Sequence, residues 1–217
     1  MPFISYDVAA PAWDRRHRSA MKTLLLDLKT SLLLTAVLVV LLCGAYPFAV
    51  WIGAQTLFPT KANGSLIVDP DGTVRGSAML AQNFTSEKYF QPRPSAAGTG
   101  YDATSSSGTN LGPTSQKLAD SVKTAVAAYR SANGLGADAP VPADAVTSSG
   151  SGLDPHISVA NAGIQAGRVA RARGLPLAHV EALIPQYTQR RDLGVLGEPG
   201  VNVLLLNRAL DRLPPAR

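Results

Sequence analysis

The sequence contains a single cysteine, Cys43, in 217 residues, so no disulfide within the chain holds its fold together. Only 16% of the residues are charged, whereas 46% are hydrophobic. This hydrophobic fraction excludes a wholly disordered chain, and the length excludes an assembly of many domains. Packing alone therefore has to stabilise whatever domain the chain contains.

Charged residues are missing altogether between Lys29 and Lys61. Within this stretch, the apolar run from Leu32 to Ile52 matches the ~20 residues that cross a hydrocarbon core about 30 Å thick. A long buried helix of a globular protein is one alternative, and a cleaved signal peptide is another. The run is longer than the apolar region of a signal peptide, and no small-residue cleavage site follows Trp51. We therefore predict an uncleaved membrane anchor that contains Cys43.

Basic residues lie mainly on the N-terminal side of this run. Only Lys61 follows it before Arg75, whereas five precede it: Arg15, Arg16, Arg18, Lys22 and Lys29. Because basic residues remain on the cytoplasmic side of a membrane, we expect a single-pass plasma-membrane protein with its N-terminus inside. The expected organisation is a cytoplasmic tail (1–29), a transmembrane anchor helix (30–55) and an extracytoplasmic domain (56–217). Met21 is an alternative start of the chain.

The net charge of +5 does not indicate a nucleic-acid-binding protein. Residues 60–217 contain 15 Lys and Arg against 12 Asp and Glu, without a basic run or interleaved aromatic residues. The remaining positive charge belongs to the segment that flanks the membrane anchor. We therefore expect no nucleic acid among the partners.

Turn and capping residues outline the external domain. The segment Asp69-Pro70-Asp71-Gly72 separates two short β-type stretches and predicts a hairpin. Residues 91–114 are rich in glycine, proline and serine, and they predict a long loop. The sequence therefore predicts an α+β domain with a small sheet and about four helices. These helices are expected from Thr114 to Asn133, from Ser158 to Arg173, from Pro176 to about Gln189 with a bend at Pro185, and from Asn202 to Leu213.

Motifs for enzymatic chemistry are missing as well. The sequence has no glycine-rich phosphate loop, no dinucleotide-binding motif after a strand and no nucleophile elbow. The histidines His17, His156 and His179 fall on separate segments, so we expect no metal site. Ser151, Asp154 and His156 lie close together in the sequence. A free-standing, membrane-anchored hydrolase or binding module that uses Ser151 and His156 therefore stays an alternative.

Seven segments, in matching order and spacing from about Met21 to Leu213, resemble the C subunit of the Kdp-type potassium-transporting ATPase. They are Gly76-Ser77, Gln82-x-Phe84, Tyr89-Phe90-x-x-Arg93-Pro94-Ser95-Ala96, Asn110-Leu111-Gly112-Pro113-Thr114, Ser149-Gly150-Ser151-Gly152-Leu153-Asp154-Pro155-His156-Ile157-Ser158, Gln165-x-x-Arg168-Val169-Ala170-x-Ala172-Arg173 and Gly197-Glu198-Pro199-x-Val201-Asn202-Val203-x-x-Leu206-Asn207-x-Ala209-Leu210-Asp211.

This resemblance implies an accessory, non-catalytic subunit of a bacterial or archaeal potassium-uptake complex in the inner membrane. The implied partners are a channel-like potassium-binding subunit, a P-type ATPase subunit, a small single-span subunit and membrane lipid. The family subunit is needed for assembly, and it has been proposed to act as a catalytic chaperone that raises the ATP affinity of the pump subunit. Because the domain is expected outside the cell, an effect on ATP would have to pass through the membrane-embedded subunits.

Polar residues in the matching segments are the candidates for contact with these partners, namely Arg93, Asn110, Asp154, Arg168, Glu198 and Asn202. The alternative is that these side chains hold turns inside the domain. Four positions depart from the family pattern: Ala81 replaces a usual Gly, Val159 a Pro, Gly200 an Arg and Arg208 an apolar residue. Without an Arg at position 200, no salt bridge is expected there.

Overall fold

The computed structural model describes residues 12–213, and the chain divides into two compact units between Asn63 and Gly64. The N-terminal unit contains α1 (Ala12–Val39), a π-helical turn (Val40–Ala45), α2 (Tyr46–Leu57) and the short α3 (Pro59–Ala62). Helix α1 begins well before the boundary at residue 30 that the sequence suggested. Residues 1–11 of the expected tail lie outside the described residues.

The continuous helix from Ala20 to Leu57 is long and apolar enough to cross a membrane. Its most apolar window has a mean hydropathy of 2.4, and none of that window is buried inside the protein. A core helix of a globular protein would be mostly buried, so that alternative is wrong. The length and composition are those of a membrane span.

A π-helical turn interrupts the α-helical hydrogen bonding near the middle of this span. Tyr46 donates its backbone N–H to the carbonyl of Leu41, five residues earlier, where an α-helix uses the residue four earlier. The turn ends two residues before Pro47, which has no N–H to donate to the carbonyl of Cys43. Proline thus explains why the regular pattern fails at this place.

The C-terminal unit begins with the expected hairpin. Strand β1 (Leu66–Val68) pairs antiparallel with β2 (Val74–Ser77), and Gly72 in the connecting turn has a φ of +83°. A second, three-stranded antiparallel sheet has the order β3-β5-β4. Its strands are β3 (His156–Ser158), β4 (Thr188–Gln189) and β5 (Gly200–Asn202). The α+β class is confirmed, with two small sheets.

The helices of this unit begin within one or two residues of their expected starts, and side-chain caps are present at the second and the fourth of them. They are α4 (Gln116–Asn133), α5 (Val159–Arg173), α6 (Leu177–Leu183) and α7 (Val203–Asp211). Ser158 caps α5 by accepting the N–H of Asn161, and Asn202 caps α7 by accepting that of Leu205. Gly134 and Gly174 end α4 and α5 in the left-handed conformation.

One predicted helix differs from the structure. The helix expected from Pro176 to about Gln189 ends at Leu183, and a 3₁₀ turn from Ile184 to Tyr187 replaces its second half. Pro185 favours this change because it supplies no N–H to the preceding turn. The chain then enters β4, whose two residues are too few for a strand pattern.

The hydrophobic core lies where α5, α6 and α7 pack against the three-stranded sheet. The largest fully buried apolar side chains are Phe90, Ile157, Val169, Val180, Val201, Val203, Leu206 and Leu210. Phe90 comes from the irregular segment that precedes α4, so that segment is packed into the core. The apolar stripe predicted on α4 is only half-buried, and the buried residue of that helix is Asn133.

Candidate functional site

Arg93 and Asp154 are the two candidate contact residues that the fold brings together. Arg93 Nη1 lies 3.2 Å from Asp154 Oδ2, and Arg93 Nη2 donates to the carbonyl of Ser148. Asp154 Oδ1 accepts the backbone N–H of His156 at 3.0 Å. The pair joins the start of the long loop (91–114) to the segment that leads into β3.

The charge state of Asp154 follows from these contacts. Partial burial raises the pKa of the carboxyl group. Hydrogen bonds from the side chain and backbone of His156, together with the nearby Arg93 guanidinium, lower the pKa by a larger amount. The net pKa therefore lies below its ordinary value. Asp154 is ionised at neutral pH, as its ion pair requires.

A second set of contacts joins the two glycine- and serine-rich loops. Ser95 Oγ donates to the carbonyl of Gly152 at 2.7 Å and accepts the backbone N–H of Tyr101. Ser107 donates its N–H to the carbonyl of Ser151 at 3.0 Å. Gly152 has a φ of +67°, and a Cβ there would lie 2.6 Å from the carbonyl oxygen of Ser107. The predicted long loop is thus joined by hydrogen bonds and close packing to the loop that contains Ser151 and Gly152.

The hydrolase alternative requires Ser151 and His156 to lie in contact, and the structure does not place them so. Ser151 Oγ accepts the N–H of Leu153 and lies 3.4 Å from Ser149 Oγ, whereas His156 Nδ1 lies 3.5 Å from Asp154 Oδ1. Across residues 12–213, no hydrogen bond joins Ser151 to His156. A hydrolase needs a base within reach of its nucleophile, and these contacts provide none.

Arg168 lies inside the domain, where it is 5% exposed. Its guanidinium donates four hydrogen bonds, to the carbonyls of Glu87 and Tyr89, to Asn133 Oδ1 and to Gln165 Oε1, at 2.7–3.1 Å. Burial lowers the pKa of this guanidinium, and the Glu87 carboxylate opposes that shift. Arginine stays protonated in proteins, so α5 carries a buried cation.

Two amide side chains that sequence reasoning missed continue this network. Gln165 pairs with the backbone of Gln91, accepting its N–H at 2.8 Å and donating to its carbonyl at 3.1 Å. Asn207 pairs with the backbone of Phe90 in the same way, at 2.8 and 2.9 Å. Each side-chain amide thus satisfies both the N–H and the C=O of one residue in an irregular segment, as a neighbouring strand would do in a sheet. The sequence feature that could have indicated this role is an asparagine, Asn207, on the apolar face of α7.

Asp144 was also missed, and it organises the start of α5. Its carboxylate accepts both the N–H and the Oγ–H of Ser158, at 2.7 and 2.9 Å, and the side-chain amide of Asn161 at 3.0 Å. Tyr129 of α4 donates to Asn161 Oδ1 at 2.8 Å, and burial raises the pKa of Tyr129. A carboxylate beside a helix N-terminus is electrostatically favourable.

The other three candidate residues lie apart from one another. Asn202 is buried and, besides capping α7, donates to the carbonyl of Ala78 at 2.8 Å. Asn110 is exposed in the long loop with a φ of +53°. Glu198 is exposed and accepts two hydrogen bonds from Arg191, at 2.7 and 2.8 Å. A role of the six candidates in partner contact stays a prediction, and only Arg93 and Asp154 touch.

Arg208 of α7 contacts the hairpin. Its guanidinium and that of Arg75 both bind the carboxylate of Asp69, and the hydrogen bond from Arg75 is the main cause that lowers the pKa of Asp69. A cavity of about 460 Å³ lies beside this group, and Arg212 and Asp211 complete its charged lining. This ion-pair group connects β1 and β2 to α7.

Comparison with known proteins gives a consistent match. Residues 28–212 match the family model described as KdpC, the c chain of K⁺-transporting ATPases. A potassium-transporting ATPase KdpC subunit from Rhodospirillum rubrum is 56% identical over 192 residues, covering 88% of this chain and 98% of the relative. The KdpC subunits of Mycobacterium tuberculosis and Caulobacter vibrioides are 58% and 54% identical, covering 77% and 88% of this chain and 88% and 96% of the relatives.

Proposed function

Because the chain belongs to the KdpC family of K⁺-transporting ATPase c chains, we propose that it assembles and stabilises an ATP-driven potassium-uptake complex. The observation that carries this proposal is the family match over residues 28–212, which includes both the apolar helix and the domain. The proposed partners are a channel-like potassium-binding subunit, a P-type ATPase subunit and a small single-span subunit. The apolar helix belongs in the lipid membrane beside them.

The structure of each unit suits an assembly subunit. No residue in the most apolar window of the helix is buried by the chain itself, so the helix is free to pack against other membrane proteins. The domain is held by packing and by buried hydrogen bonds from Gln165, Arg168 and Asn207. In this proposal, the surface of the packed domain is what the neighbouring subunits contact.

We propose that the subunit has no catalytic activity of its own. The Ser151 hydroxyl lacks a base, as described above. Groups of three or more His, Cys, Asp or Glu that would hold a metal ion do not occur in the described part of the chain. In this proposal, the P-type subunit supplies the chemistry of ATP hydrolysis.

We propose that the domain does not bind ATP itself in the cavity beside Asp69. The cavity beside Asp69 contains the guanidinium groups of Arg75, Arg208 and Arg212. Asp69 already pairs with two of these groups, and Asp211 adds another negative charge. A triphosphate needs more positive charge than this lining leaves, and usually a loop of backbone N–H donors as well.

We propose an extracytoplasmic position for the domain, on the potassium-entry side of the complex. The basic residues before the span and their scarcity after it support this orientation. A catalytic-chaperone effect on ATP affinity would then be transmitted through the membrane-embedded subunits. Reciprocity requires that nucleotide binding to the pump subunit changes the affinity for this chain by the same factor.

Co-purification tests the assembly proposal. The tagged chain, extracted from membranes with a mild detergent, should elute with the P-type and channel-like subunits in size-exclusion chromatography. Deletion of its gene should remove those subunits from the assembled complex and prevent growth at micromolar-scale potassium, with growth restored by high potassium. Elution of the chain alone, together with unchanged growth of the deletion strain, would contradict the proposal.

Cysteine labelling tests the orientation. In a Cys43→Ala background, the variant Asp138→Cys carries its only thiol in the domain, and Lys22→Cys carries it before the span. A membrane-impermeant maleimide should label Asp138→Cys in intact spheroplasts and label Lys22→Cys only after lysis. The reverse pattern would place the domain in the cytoplasm and would allow direct contact with ATP.

A further inference from the structure

Two asparagine–glycine pairs occur in the sequence, Asn63-Gly64 and Asn133-Gly134. The backbone nitrogen that follows an asparagine can attack the carbon of its side-chain amide, and a glycine at that position has no Cβ to hinder the approach. Asparagine is accordingly among the thermally labile side chains of proteins. The two pairs are equivalent in the sequence, and the structure makes them different.

Asn133-Gly134 lies at the end of α4 with both reacting groups engaged. Asn133 is 8% exposed, its Nδ2 donates to the carbonyl of Tyr129 at 2.9 Å, and its Oδ1 accepts from Arg168 Nε at 3.1 Å. The N–H of Gly134 is directed at two carbonyls in the last turn of α4. Because a buried amide and a hydrogen-bonded nitrogen meet only when the domain opens, this pair is protected.

Asn63-Gly64 lies on the surface, where the short helix α3 ends. Both residues are exposed, and Gly64 has a φ of +84°, outside any helix or strand. Across residues 12–213, no group accepts a hydrogen bond from the N–H of Gly64. The nitrogen that would attack Asn63 is therefore unhindered.

The side-chain amide of Asn63 is paired with that of Gln55, near the end of α2. Asn63 Nδ2 donates to Gln55 Oε1 at 3.1 Å, and Gln55 Nε2 donates to Asn63 Oδ1 at 3.3 Å. Asn63 Nδ2 also donates to the carbonyl of Pro59 at 2.7 Å. Each such bond contributes only modestly, because water replaces it when it breaks. The amide therefore leaves this position readily, and Gln55 sets how often it does so.

We propose that Asn63 is a site of spontaneous deamidation, and that its pairing with Gln55 controls the rate. The Gly64 nitrogen bonds to Asn63 Cγ and gives up its proton, the Cγ–Nδ2 bond breaks, and Nδ2 leaves with that proton as ammonia. Water then opens the cyclic imide at either carbonyl carbon. Aspartate forms where the bond from Cγ to the Gly64 nitrogen breaks, and isoaspartate forms where the backbone C–N bond breaks.

The modification changes the chain directly before the domain. Either product replaces a neutral amide with a carboxylate that cannot donate to Gln55 or Pro59. Isoaspartate also lengthens the main chain by one carbon atom between α3 and β1. This inference requires neither the proposed complex nor the proposed orientation.

Ageing of the full chain in mild detergent, in water labelled with heavy oxygen, measures the reaction. Deamidation during ageing incorporates the label, whereas deamidation during later digestion in ordinary water does not. Peptide mapping by mass spectrometry should show labelled aspartate and isoaspartate at position 63 and an intact Asn133. In urea, where neither pair is protected, both should react at similar rates. An intact Asn63 in the folded chain when the urea sample has reacted, or equal rates at the two asparagines in the folded chain, would overturn the proposal.

The variant Gln55→Ala tests the control of the rate. It removes two of the three hydrogen bonds of the Asn63 amide, so deamidation of Asn63 should be about tenfold faster than in the wild type. The matched control Gln116→Ala removes an exposed glutamine that donates to Asp120, and it should leave the rate at Asn63 unchanged. Asn133 should stay intact in both variants, which shows that their domains remain folded. A wild-type rate in Gln55→Ala, or equal acceleration in Gln116→Ala, would refute the role of Gln55.

Discussion

Replacing Arg168 by methionine separates a structural role from partner binding at one of the candidate residues. The guanidinium donates four hydrogen bonds that connect α5 to the Asn133 end of α4 and to the carbonyls of Glu87 and Tyr89. Methionine keeps much of the length of the side chain and removes every donor. The buried acceptors then lose their partners while the apolar packing is largely kept.

The expected loss of stability follows from these contacts. Hydrogen bonds to charged groups contribute about 1.5–3 kcal/mol each, but removal of the buried charge also removes its cost of desolvation. We therefore expect a net destabilisation of about 3–5 kcal/mol rather than the full sum. For a domain of this size, each kcal/mol lowers the melting temperature by about 2–4 °C, so the fall should be roughly 10 °C.

Urea-induced unfolding, followed by pulse proteolysis of the domain, measures this difference in the detergent-solubilised chain. Both tryptophans, Trp13 and Trp51, precede the domain, so tryptophan fluorescence does not report on it. The control Arg171→Met removes an exposed arginine of the same helix and should change the free energy of unfolding by less than about 0.5 kcal/mol. If Arg168→Met had the same free energy of unfolding as the wild type but the complex failed to assemble, the structural role would be refuted and Arg168 would be a partner contact.

Two further predictions concern the loops. Gly152→Ala should destabilise the domain by about 2 kcal/mol or more, because the new Cβ would meet the carbonyl of Ser107 at a φ that alanine disfavours. Gly163→Ala in α5, which has open space around it, should instead stabilise the domain by about 0.5–1 kcal/mol. Equal unfolding midpoints for the two variants would contradict this prediction. Partial burial opposes ionisation of Asp154, but hydrogen bonds, chiefly from His156, lower its pKa in the folded state. The ionised carboxylate therefore stabilises the domain when the pH is above the unfolded-state pKa of about 3.9, and this contribution is lost as the pH falls through the lower folded-state pKa. Asp154→Asn should therefore be less stable than the wild type at pH 7, and the difference should shrink below about pH 4; a difference that grows with acid would reverse the sign of the argument.

Local signals in the sequence were sufficient for the elements that neighbouring residues determine. The turn Asp69–Gly72 predicts its hairpin because proline and glycine favour the required backbone angles. Ser158 and Asn202 predict the starts of α5 and α7 because an N-cap side chain bonds to an N–H only three residues away. The membrane span follows from its length and composition alone.

The parts that escaped prediction depend on residues far apart in the chain. Strands of two or three residues, such as β4, are too short to show an alternating pattern. Gln165 finds its partner Gln91 across 74 residues, and Asn207 finds Phe90 across 117. Arg168 and Asn202 were interpreted as contact candidates because they are polar residues in matching segments. Their burial depends on acceptors that only the folded chain brings to them.

The π-helical turn at Val40–Ala45 divides the span into two segments with different rotational phase. One additional residue in a turn rotates every later side chain by about 100° around the helix axis. A stripe of side chains that faces one direction before Val40 therefore does not continue in that direction after Ala45. A helical wheel drawn through the whole span would assign the wrong neighbours to half of it. The two halves of the helix consequently turn different faces toward their surroundings at different depths of the bilayer.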